Sequence, residues 1–312
     1  MSPHPAGPTR VVPFEKAAVV RAFGEEVHFL LRAAETNGAY TLFLELTPPG
    51  GGPPPHFHKR EDEWFHVLEG RAEYLVEGKR REVPAGSSVY VPRNAVHTFR
   101  NAGTTPLRQL IATRPCGFEE FFRKSGEVFR GGGAPDMARI VAIGEEHGIV
   151  FQLPGAPPLV PATVPASTPA IVQPADTRVQ RLFGEEITVL LSARQTGGTL
   201  TTFLETTPPG GGPPPHRLPK FDEWFTVLEG RVSFFGDAHW TEVGPGGAFF
   251  APRGAVHTYR NDGPSPARML VQTSPSGIES FFDAAAAEFA RPGGPDMEKA
   301  MGIAAAHGIE FV

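Results

Sequence analysis

The sequence predicts an all-β protein of two tandem barrels, each followed by two short helices. Three observations predict it. The 312-residue chain repeats itself at a constant offset of 160 residues. Each copy carries short runs in which apolar and polar residues alternate, the period of a strand. The 36 glycines and 34 prolines cluster between those runs, where turns belong.

The repeat is explicit. Arg21-Ala22-Phe23-Gly24-Glu25-Glu26 returns as Arg181-Leu182-Phe183-Gly184-Glu185-Glu186, and the run from Thr47 to His56 returns from Thr207 to His216. Asp62-Glu63-Trp64-Phe65 returns at 222–225, Ala95-Val96-His97-Thr98 at 255–258, and His147-Gly148-Ile149 at 307–309. A period this long means duplicated domains rather than a solenoid. The chain then divides into an amino-terminal arm (1–18), a first domain (19–151), a connector (152–176) and a second domain (177–312). The connector is rich in Pro, Ala and Thr and almost uncharged, which favours an extended spacer. Both arm and connector are expected as spacers, with an arm laid along a sheet edge as the alternative.

Within the first copy the alternating runs fall at 40–46, 63–68, 72–76, 88–91, 97–101 and 109–113. Many short strands with frequent turns read as an antiparallel sandwich or barrel. Only the tail changes period. Residues 117–129 and 135–146 place apolar side chains at helical spacing, as do 277–289 and 295–306.

Composition removes several functions. Net charge is −5 and the isoelectric point about 6.1, with no Lys/Arg block, so neither nucleic acid nor an anionic membrane is an expected partner. Cys116 is the only cysteine and cannot form an internal disulfide. No apolar run approaches a membrane span, and residues 1–13 lack the apolar core of a signal peptide. The expected compartment is therefore the cytoplasm.

The histidines carry the chemistry. His56 and His58 lie two apart, on one side of a strand; Glu63 follows closely, and His97 falls on a later strand. Imidazole and carboxylate together suit Fe, Mn, Ni, Cu or Zn. His66 lies three residues from Glu63, so strand parity turns it away, to the surface or between sheets. His147 and His307 close helices just before Gly and read as partners of the helix dipole. Gly50-Gly51-Gly52 runs into three prolines instead of Gly-Lys-Ser/Thr, so no phosphate loop is expected.

The segment from Gly50 through His56, His58 and Glu63 to Gly70 resembles the first cupin motif. The segment Gly86, Pro92, Asn94, His97 and Asn101 resembles the second, with Asn94 where the family usually has Gly. Asn is the side chain best able to replace Gly at positive φ. With the repeat, the chain resembles a bicupin. The Gly/Pro run before His56 and the segment 115–122 are most similar to bacterial quercetin 2,3-dioxygenase-type cupins.

That resemblance implies a jelly-roll barrel per copy with a metal in its mouth. His56, His58, Glu63 and His97 would hold one divalent transition metal, Fe(II) foremost, with Mn, Ni, Cu or Zn as alternatives. In the second copy His216, Glu223 and His257 align with His56, Glu63 and His97, but Leu218 replaces His58. Two readings of this degenerate site stand: a structural barrel, or a 2-His-1-carboxylate triad.

Strand parity puts Phe65 on the face of Glu63 and Phe99 on that of His97, with Phe43 as a third ring for the pocket. An aromatic pocket beside a cation favours a flat phenolic or enolic substrate. The expected function is therefore a metal-dependent dioxygenase taking such a small molecule and O2, and the resemblance to quercetinase-like cupins implies Glu63 as proton acceptor. Alternatives are an oxalate-decarboxylase-like bicupin, which needs an inward cation for which Arg93 on the motif turn is the only nearby candidate, and a non-catalytic ligand-binding bicupin. A duplicated chain imitates a cupin dimer, so a monomer or a homodimer is expected.

Overall fold

The computed structural model describes residues 7–76, 78–130 and 134–312. The chain forms two compact units. One is Ala17–Ala175; the other joins Asp176–Val312 to the amino-terminal segment up to Lys16. Among the described residues, no helix is long and apolar enough to cross a membrane.

In the first unit two antiparallel sheets face one another as a jelly roll. The larger has seven strands in the order Ala170–Val172, Ser88–Val91, Asp62–Glu69, Leu107–Arg114, Thr41–Thr47, Glu25–Leu31 and Ala18–Ala22. The smaller runs Ile149–Phe151, His56–His58, His97–Asn101, Arg71–Val76 and Lys79–Pro84. Alternate residues of both sheets point inward and form one core that includes Val27, Phe29, Phe43, Phe65, Tyr74 and Ile111. The helices Phe118–Phe129 and Met137–His147 follow the barrel, as their apolar spacing predicts.

The second unit repeats this plan. Its seven-stranded sheet contains Asp222–Glu229, Ala267–Ser274 and Thr201–Thr207, and its helices are Glu279–Phe289 and Met297–Ala306. The smaller sheet is broken into a three-stranded and a two-stranded piece, linked by a bridge between His216 and His257.

One expectation is corrected. The arm and the connector are spacers only in part. Arg10–Val12 pairs with Ala248–Phe250 at the edge of the second unit's large sheet, and Ala170–Val172 pairs with Ser88–Tyr90 at the edge of the first. A bare edge strand exposes unpaired N–H and C=O groups, and these segments satisfy them. His66, expected at the surface or between sheets, is buried: its Nδ1 lies 2.9 Å from Ser88 Oγ and its ring stacks on Trp64. Further strands at Ala18–Ala22, Glu25–Leu31 and Lys79–Pro84 join those runs.

One glycine fixes the chain just before the histidines. At Gly52, φ is 141° and a Cβ would stand 2.1 Å from the Phe99 carbonyl oxygen; Gly212 repeats this against Tyr259. Gly52→Ala is expected to lower the unfolding free energy by roughly 2–4 kcal/mol, as forced overpacking does. Gly50→Ala, where φ is 76° and the space beyond is open, should cost only about 1–2 kcal/mol for the left-handed conformation. Urea denaturation of the two variants checks the order.

Candidate metal centre

Strand register builds the first site. His97 is the direct cross-strand partner of His56, and His58 lies two residues along the same strand as His56. Glu63 comes from the facing sheet, near the start of Asp62–Glu69. All four side chains are buried, and one donor atom from each lies within 4.8 Å of the others. The turn before His97 is held by Asp62, which accepts from the Arg93 backbone at 2.9 Å and from its guanidinium twice at 3.0 Å. Asn94 in that turn has φ 66°, as Gly254 has φ 80° in the second copy. Asn101 is structural: its amide donates to the carbonyls of Thr47 and Thr105, both at 2.9 Å.

Backbone carbonyls orient two of the rings. His56 Nδ1 lies 2.9 Å from the Pro54 oxygen and His97 Nδ1 3.0 Å from the Ala95 oxygen, so each presents Nε2 to the centre. His97 Nε2 is 2.9 Å from Glu63 Oε2. Both ring nitrogens of His58 are buried without a hydrogen-bond partner, the nearest carboxylates being Glu63 at 3.4 Å and Glu61 at 3.5 Å. Such orphans are rare inside proteins.

Electrostatics agree with a cation at this point. Burial pushes His56 well below the ordinary histidine value, aided by His97 and His58, so it stays neutral and able to ligate. Burial opposes charge on His58 too, yet Glu63 and Glu61 hold its pKa above the ordinary value. Burial works to raise Glu63, but His58 and His97 together bring it below the usual carboxylate range. Three imidazoles and one ionised carboxylate, one imidazole unpartnered, fit a divalent transition metal.

The donors open onto a cavity of about 330 Å³. Phe43, Phe65 and Phe99 stand in its wall, joined by Phe118, Phe121 and Phe122 from the helix after the barrel. Among the described residues, no Lys or Arg lines it. Arg93 is bound to Asp62, and Arg100 is exposed beside Glu73. The cavity also contains Glu25 and Glu45, which the sequence reading passed over. Their signal was available: Glu45 shares strand parity with Phe43. The helix phenylalanines sit three and four residues apart, a pattern that distinguishes neither core from pocket.

In the second copy His216, Glu223 and His257 also converge, with His257 Nε2 2.9 Å from Glu223 Oε2. Leu218 is 2% exposed and replaces the fourth donor with an isobutyl group. Burial, then His257, lowers His216 to about 3. The adjoining cavity is about 90 Å³. At the end of the helix after the first barrel, His147 Nε2 is buried without a hydrogen-bond partner, and burial with Lys124 nearby lowers its pKa, which weakens a cationic role there.

Comparison with known proteins follows this geometry. The family model for the cupin domain matches residues 43–112 and 203–273. Over 110 residues the chain is 28% identical to quercetin 2,3-dioxygenase of Bacillus subtilis, covering 35% of this chain and 32% of that protein. It is 30% identical over 108 residues to polyketide synthase CurC of Streptomyces cyaneus, 34% of this chain and 70% of that one. The solved structure of oxalate decarboxylase from Bacillus subtilis superposes with TM-score 0.62 at 17% identity, covering 88% of this chain and 77% of that chain. The chain thus matches about a third of the length of the Bacillus dioxygenase.

Burial pushes Glu45 up to about 8 from an ordinary 4.5. A raised folded-state pKa gives stability that is complete below about pH 4.5 and lost as pH rises through about 8. Glu45→Gln removes that loss. Between about pH 5 and pH 8 the variant should gain roughly 1–3 kcal/mol on the parent, measured by urea unfolding at both pH values.

Proposed function

The chain belongs to the cupin family, with two cupin domains in tandem, and from that premise we propose that its first barrel is a metal-dependent dioxygenase for a phenolic or enolic small molecule. The observation that carries the reading is a four-donor centre whose His58 ring has no hydrogen-bond partner, opening onto an aromatic cavity lined, among the described residues, by no Lys or Arg. The dioxygenase among the relatives supports it. A decarboxylase of a small dianion shares the fold, but among the described residues no Lys or Arg lines this cavity to balance a dianion's charge.

His56, His58, His97 and Glu63 would hold the metal, with Fe(II) first among the candidates and Mn, Ni, Cu or Zn behind it. When bound, that ion supplies Lewis acidity toward a ligand hydroxyl and redox access to dioxygen. The protein's own groups do the rest. The phenylalanine walls hold a flat ring and exclude water. Glu63, kept ionised by its histidines, accepts the proton of the ligand hydroxyl. The Asp62–Arg93 pair fixes the turn that carries His97.

The test is elemental analysis with oxygen uptake on a panel of flavonols and enols, and CO2 release from oxalate. One redox-active metal per chain and flavonol-dependent uptake are expected. His58→Ala should lower uptake by more than the roughly 10–100-fold typical of losing an outer partner. Unchanged uptake in that variant, or oxalate turnover instead, overturns the assignment; metal-free protein that retains an organic ligand favours the binding role. Leu218→His restores a fourth donor and should raise the bound metal toward two per chain.

A further inference from the structure

Two buried carboxyl groups sit in the first cavity with no assigned role. Glu25 begins the strand Glu25–Leu31, and Glu45 lies in the neighbouring strand Thr41–Thr47. The register pairs Glu26 with Leu46 and Val27 with Glu45, which sets Glu25 diagonal to Glu45 on the same inward face. They are 6% and 3% exposed, and both line the cavity. Thr47 Oγ1 donates to Glu45 Oε1 at 3.0 Å. Glu25 Oε1 is buried and accepts from nothing.

The second copy shows what such a pair holds. There Glu185 and Glu205 stand at the matching positions, in matching register. The Tyr259 hydroxyl donates to this pair, 3.0 and 3.1 Å from the two oxygens of Glu185 and in contact with Glu205 Oε1. The first copy has Phe99 in place of Tyr259, in a like ring setting: Phe65 to Phe99 is 5.9 Å and Phe225 to Tyr259 is 5.6 Å. The glutamates are kept, the phenol oxygen is absent, and a carboxyl oxygen is left without a donor. The cavity that faces them is also the larger, about 330 Å³ against about 90 Å³.

The geometry points to the Glu25–Glu45 pair as a subsite for an aromatic hydroxyl of the ligand, which donates where the Tyr259 hydroxyl donates in the second barrel. This deepens the phenolic reading of the same cavity and rests on it: the ligand carries a second hydroxyl, remote from the one at the four-donor centre. Burial, reinforced by Glu45, raises Glu25 well above the ordinary range, so the pair retains a proton and can both accept and donate. An aromatic hydroxyl matches that pair and the phenylalanine walls together, because it brings its own apolar ring.

The experiment measures equilibrium binding to metal-free full-length protein, so that the four-donor centre does not enter. The probes are unsubstituted flavonol and flavonols hydroxylated on either outer ring, each beside its methyl ether. At least one hydroxylated probe should bind tenfold or more tightly than its ether. Glu45→Leu should bring that ratio close to one. Phe99→Tyr supplies the pair with the second barrel's own phenol, so it should also collapse the ratio and raise the thermal midpoint, which guards against a variant that merely fails to fold. A ratio near one in the parent protein, or one that survives Phe99→Tyr, overturns the subsite while leaving the phenolic reading intact. If no flavonol binds at all, the phenolic reading falls and the subsite falls with it.

Discussion

The first site depends on one pairing: His56 opposite His97 across two neighbouring strands, with their rings 4.4 Å apart. The register of that ladder cannot slip by a single residue without turning both imidazoles out of the barrel. The rest of the local structure holds it in place. Gly52 lets the incoming chain lie against the Phe99 carbonyl, the Asp62–Arg93 clasp sets the turn before His97, and Pro54 and Ala95 carbonyls fix the ring orientations. Glu63 then faces the pair from the other sheet, and four buried polar groups are concentrated where they would otherwise be costly.

The two copies show how little change separates an open site from a closed one. Leu218 for His58 removes a donor and adds apolar bulk. Tyr259 for Phe99 ties up a carboxyl pair with an internal phenol. The compensating residues are visible too. Tyr74 donates to Gln109 at 2.5 Å in the first barrel, and its counterparts in the second are Phe234 and Met269, both buried. Tyr74 and Gln109 differ between the copies as a pair, whereas the glutamates are kept in both and only the second copy retains the phenol that donates to them.

Much of this was legible in the sequence, for definite reasons. The repeat, the His-x-His spacing and the change from strand to helix period are local and survive reading one residue at a time. His66 shows the limit: parity sends it away from Glu63 correctly, but parity is silent on whether that other face is wet. Glu25 shows another. It opens a strand in a Gly-Glu-Glu turn, where a glutamate looks exposed, and only its register beside Glu45 makes it a buried partner. The helix after the barrel has the apolar spacing of any core helix, so nothing in Phe118, Phe121 and Phe122 says that they face a cavity.

The edge strand Arg10–Val12 has a bearing on biosynthesis. Its partner, Ala248–Phe250, lies more than two hundred residues downstream, so this segment is translated long before the edge it pairs with. The first barrel, from Ala17 to Ala175, can close while the ribosome is still working. Until Ala248–Phe250 is made, Arg10–Val12 has no such edge to pair with, and the second barrel's sheet is completed only by a segment that precedes the first barrel.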